Sequence, residues 1–167
     1  MRPRLPYAFP RGTSMSEVER ILDQMDRAFS GDAWHGPPVM NLLDGLSAED
    51  ASKHPVHGAH SIWELVHHMG AWNAIVLHRL QGEDVEVTTE SDWPPVWEVS
   101  EAAWKRALEN LTESHARLRK AAEGLTDEQL EQRAAGPQYS RYVVLHGVIQ
   151  HDLYHAGQIA ILKKALR

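Results

Sequence analysis

Apolar side chains recur every three or four residues in four separate stretches of this chain, a period that predicts four long helices. In the first, Val18, Ile21, Leu22, Met25 and Phe29 share a face; Ser14 or Ser16 suits its N-cap, and Gly31 ends the run. The second runs from His60 or Ser61 to Leu80 and closes at Gln81-Gly82. The third starts at Ser100 and reaches about Glu123; the fourth runs from Ser140 or Arg141 to Leu166. Shorter features lie between them. Pro37-Pro38 opens a turn or short helix through Leu43, Ser47 to Gly58 reads as loop, and Thr126 to Leu130 has the form of a capping box. The connection from the second to the third helix is polar and broken by proline (Trp93-Pro94-Pro95-Val96-Trp97), which suits a crossover better than a buried strand pair. The pattern predicts an all-α, four-helix bundle: one domain over 14–167 behind an irregular leader over 1–13.

Composition narrows the function. The net charge of −6 excludes an ordinary nucleic-acid binder, which would carry a basic stripe. With no cysteine, the chain has no disulfide, thiolate metal ligand or cysteine nucleophile. No apolar run approaches the ~20 residues needed to cross a bilayer, and the proline-rich start lacks a signal-peptide core, so a cytoplasmic protein without membrane contact is expected. Eleven histidines are many for this length, and they cluster between 54 and 78 and between 146 and 155.

The helical period sorts those histidines. In the second helix Leu65, His68, Trp72 and Ile75 make an inward stripe, whereas His67 falls on a flanking row with Trp63 and Ala71. In the fourth, Val144, Val148, His151, His155, Gln158 and Leu162 make an equivalent row, with Asp152 beside it and His146 pointing elsewhere. His151 and His155, four residues apart, stack their imidazoles on one face. A buried histidine pair of this kind loses hydration, so it favours a partner that takes neutral nitrogen donors. His68 offers the third ligand for a divalent cation, zinc or nickel first, with iron, cobalt or manganese also compatible. His35, His54, His57, His60 and His115 read as loop or surface residues, and the tryptophans as core or rim packing, with Trp72 a candidate pocket wall.

The run His151-Asp-Leu-Tyr-His155-Ala-Gly-Gln158, preceded by Glu64-Leu-Val-His-His68-Met-Gly-Ala, resembles the DinB/YfiT-like superfamily of metal-binding helical proteins. The resemblance runs roughly from Val18 to Leu166. It implies a four-helix bundle whose metal is held by His68, His151 and His155, and it implies a homodimer. Among the relatives are bacillithiol S-transferases and the metal-binding domain of a mycothiol-dependent maleylpyruvate isomerase, which makes a low-molecular-weight thiol and a small electrophile the expected substrates.

Three neutral imidazoles leave a cation its full charge and an open position, the mark of a chemical rather than a structural site. Two reactions follow: transfer of a thiol to a small electrophile, and hydrolysis by water activated on the metal. Glu64, one turn before His68, is the nearest candidate base, and Tyr154 or Gln158 would orient a ligand by hydrogen bonding. A bundle that binds metal or a small molecule without catalysis is the third reading.

Overall fold

Serine hydroxyls set where the long helices begin. Ser16, Ser61, Ser100 and Ser140 each accept the backbone N–H three residues on, satisfying a donor that the first turn leaves open. The computed structural model describes residues 15–136 and 138–167, so the expected leader over 1–13 lies outside the described residues. The long helices are α1 (Glu17–Phe29), α4 (Ile62–Leu80), α6 (Glu101–Glu123) and α8 (Arg141–Ala165). Four short ones, α2 (Val39–Leu43), α3 (Ala48–Ser52), α5 (Thr89–Asp92) and α7 (Asp127–Leu130), fill the connections. No strand occurs among the described residues; one antiparallel bridge, Arg133 to Ser140, pins the loop before α8.

Two expectations about connections change. The segment expected as loop from Ser47 contains α3, because Ser47 caps it by accepting Asp50 N–H and Ala48 and Ala51 are buried. The connection between α4 and α6 holds the single turn α5, and its next residues return to the side of α4 through bonds described below.

The described core divides along the helix axes. One apolar cluster holds Trp63 and Met69 of α4, Leu111 of α6 and Ile159 of α8; the other holds Ile21 of α1, Val76 of α4, Leu118 of α6 and Leu145 of α8. Since α4 meets the first cluster with its N-terminal half and α8 with its C-terminal half, the two run antiparallel. Each of three helices carries a buried polar residue where the clusters meet: Asn73 on α4, His115 on α6 and Asp152 on α8. Sequence assigned His115 to the surface, and the structure corrects this. Its ring is 6% exposed and stacks on Phe29 at 3.8 Å between centroids, and burial pulls its pKa down to about 4. The helical period did carry the signal, since Leu111, His115, Leu118 and Ala122 fall three or four residues apart, but the polar neighbours Glu113, Ser114 and Arg117 masked it. No described helix is long and apolar enough to cross a membrane.

Candidate metal centre

Position 68 enters the core because it lies on the apolar row of α4, and it is buried. From the antiparallel α8, His151 and His155 reach the same point. His151 Nε2 lies 2.9 Å from His68 Nε2 and 3.0 Å from His155 Nε2. These three side chains form the one group of metal-capable ligand atoms found among the described residues.

The protons do not suffice for this cluster by itself. His68 Nδ1 lies 2.7 Å from the Asp92 carbonyl oxygen, which only accepts, so the His68 proton is on Nδ1 and its Nε2 is a bare lone pair. His155 Nδ1 lies 2.6 Å from Gln158 Oε1, which fixes the same tautomer there. A neutral His151 has at most one proton to offer two bare nitrogens. Protonation offers little relief. Burial lowers the pKa of His68 and of His155, and burial with repulsion from His155 and His68 brings His151 down to about 3. Converging lone pairs of this kind suit a cation. Three nitrogens at ~2.0–2.1 Å from a tetrahedral ion stand about 3.3 Å apart; the two distances from His151 Nε2 come within a few tenths of an ångström of that, and all three ligand atoms lie within 4.8 Å of one another.

Around the three rings, the connection after α5 forms a clasp. His67 donates Nδ1–H to the Pro94 carbonyl (3.1 Å), while its Nε2 accepts the Trp63 indole N–H (2.9 Å). The adjacent histidines therefore divide the work, with 68 turned to the cluster and 67 gripping the connection. The Asp92 carboxylate accepts the Trp72 indole N–H at 2.7 Å and lies 3.2 Å from His68 Nδ1. Trp93 lies flat on His68, centroids 3.8 Å apart and planes 7° apart, with His60 on its other face at 3.6 Å. Asp92 and Trp93 were not legible as site residues. Their approach to His68 is a long-range event, and neither belongs to a periodic row.

The other expected site residues are placed as follows. Gln158 touches the cluster through His155, so what it orients is that ring. Tyr154 points outward, 65% exposed, with its ring edge-on to His155 at 5.1 Å. Glu64 is the clearest departure from expectation. It shares a face with His68, but helical side chains lean toward the N-terminus, and Glu64 reaches back to the cap. Its Oε2 accepts Ser61 N–H at 2.7 Å and lies 2.9 Å from His54 Nε2, outside the histidine group. Burial pushes its pKa up, but the bonds from Ser61 and His54 outweigh that and hold it below the ordinary carboxylate value. An ionised carboxylate already spent on the cap is a poor proton acceptor for the cluster. His146 is elsewhere, its ring tilted by 50° against that of Tyr142 with centroids 4.4 Å apart.

The family model for the DinB superfamily matches residues 39–159, which takes in all three clustered histidines. No curated protein matches the chain.

Proposed function

The chain belongs to the DinB superfamily, and on that footing we propose a metal-dependent enzyme that transfers a small thiol to an electrophilic small molecule. The observation that carries the proposal is the convergence of three neutral imidazole nitrogens, two of them fixed as bare lone pairs, with no fourth protein ligand among the described residues. When bound, a divalent cation with three neutral ligands keeps its full charge and an open position, and lowers the pKa of a thiol or water placed there. Zinc or nickel suits the donor set best, with iron, cobalt or manganese compatible.

The chain's own residues do the rest. His68 and His155 are locked in one tautomer by the Asp92 carbonyl and Gln158, so no ring must turn to bind. Trp93 and Trp72 border the cluster with apolar surface that limits water. In the reaction the thiol gives up its proton to solvent and its sulfur bonds to the electrophilic carbon. The bond to the leaving group breaks, the electron pair departing with that group. The four long helices read as a four-helix bundle with its crossover after α4, a frame that holds ligands from facing helices. Zinc-loaded protein should consume a small thiol in the presence of an aryl halide or epoxide, and chelated protein should not. Hydrolysis of an ester panel without thiol consumption would favour the hydrolase, and inertness toward both a non-catalytic binder.

We further infer a cytoplasmic homodimer through α8. Its outward row, Val143, Gly147, Gln150, Tyr154, Gly157 and Ile161, is exposed and uncharged. The row is nearly symmetric about residue 152, so an antiparallel copy would set Val143 against Ile161, glycine against glycine and Gln150 against Tyr154. Sedimentation should give twice the chain mass, and Ile161→Glu should give a monomer with its metal content intact. A monomeric parent protein would refute the dimer.

A further inference from the structure

Arg79 lies two turns beyond Trp72 on the same face of α4. Its guanidinium carbon is 5.7 Å from the Trp72 ring centroid, in cation–π range. Its Nε is buried and has no hydrogen-bond partner. Among the described residues, no carboxylate pairs with it. The neighbouring loop comes close through Gly136, whose φ of +80° suits glycine, and whose Cβ, if present, would sit 3.6 Å from Arg79 Nε and run into Asp84. Asp84 itself is exposed and makes no ion pair with the arginine.

Trp72 joins this cation to the histidine cluster. Its ring is 5.9 Å from that of His151 and 6.4 Å from that of His68, and Asp92 fixes its indole N–H. Trp72 is thus in reach of both Arg79 and the histidine cluster, which would be a second positive feature once it held a cation, in a chain of net charge −6. A half-buried guanidinium with an unused N–H and no counter-ion is suited to an oxyanion.

We propose that Arg79 is a specificity-determining residue that binds a carboxylate or phosphate on the small molecule whose other end sits at the metal. This rests on the metal-dependent thiol-transfer reading and names the class of its substrate: an anionic thiol or electrophile, long enough to pass over Trp72.

The test compares probes of equal length on zinc-loaded protein, followed by tryptophan fluorescence and calorimetry: 6-mercaptohexanoate, 6-mercaptohexyl phosphate and 6-mercaptohexanol. At least one acid should bind about tenfold more tightly than the alcohol, as a charge-assisted pair requires. Which acid does so separates carboxylate from phosphate. In Arg79→Gln the preference should fall below about twofold, and Arg79→Lys should restore part of it. Arg79 also occupies the last turn of α4, where any cation favours the helix dipole; that role would move the melting temperature and leave the acid-to-alcohol ratio unchanged. Equal binding of acids and alcohol, or a preference that survives in Arg79→Gln, overturns the assignment. Failure of every thiol, the alcohol included, would instead sink the thiol reading. Adipate against 1,6-hexanediol then decides Arg79 alone, with adipate binding lost in Arg79→Gln expected and unchanged binding contrary.

Discussion

Replacing His151 or His155 by alanine abolishes stoichiometric binding of a divalent cation, whereas His146→Ala leaves it nearly intact. Removing a ligand must weaken binding more than removing a ligand's support, which lowers affinity by ~10–100-fold. The two histidines should therefore each cost more than ~100-fold. Gln158→Ala should fall in the lower range, because it frees the His155 ring to turn and to move its proton onto Nε2. Calorimetric titration of the chelated proteins with zinc checks the order. His151 is the most sensitive position, since its Nε2 is the atom that both other rings approach. Tight one-to-one binding retained in either alanine variant would show that the ion sits elsewhere.

The second large effect is on stability. Asp152 is buried between the two apolar clusters, and burial pushes its pKa up to about 7 from 3.8. Here the folded state holds a proton that the unfolded chain has already released. The associated stability is full below pH 3.8 and is lost as pH rises through 7. The loss amounts to at most about 4 kcal/mol. In chelated protein Asp152→Asn should thus stabilise relative to the parent by a margin near zero at pH 4 that grows to about 2–4 kcal/mol above pH 7. His115, with its pKa near 4, acts in the opposite sense, adding stability above pH 6.5 that is lost as pH falls toward 4. Because both proteins contain it, the difference between them isolates Asp152. Urea unfolding across that range would contradict the assignment if the difference did not change with pH.

Much of this was legible in the chain before any coordinates. The stripe Leu65, His68, Trp72, Ile75 and the row His151, His155, Gln158 are consequences of the 3.6-residue period, and a period reports which side chains turn inward. The same period distinguished His68 from His67. What it does not report is how a side chain is spent once there. Glu64 lies on the right face but serves Ser61 and His54 at the helix start. A connection's path was equally hidden. Asp92, Trp93 and Pro94 return to α4 through a carbonyl, a stacked indole and another carbonyl, none of which has a sequence pattern. Arg79 is a basic residue in the last turn of α4, and nothing in the sequence marks its unpartnered Nε. His115 shares the apolar row of Leu111, Leu118 and Ala122, a period outweighed by its polar neighbours.

Metal content is the most direct measurement. Protein purified without chelators should carry one divalent ion per chain by elemental analysis, and removing that ion should lower the melting temperature, because a ligand bound only to the folded state stabilises it. Protein with no bound ion, no uptake on adding zinc or nickel, and a melting temperature indifferent to both would contradict the existence of the centre.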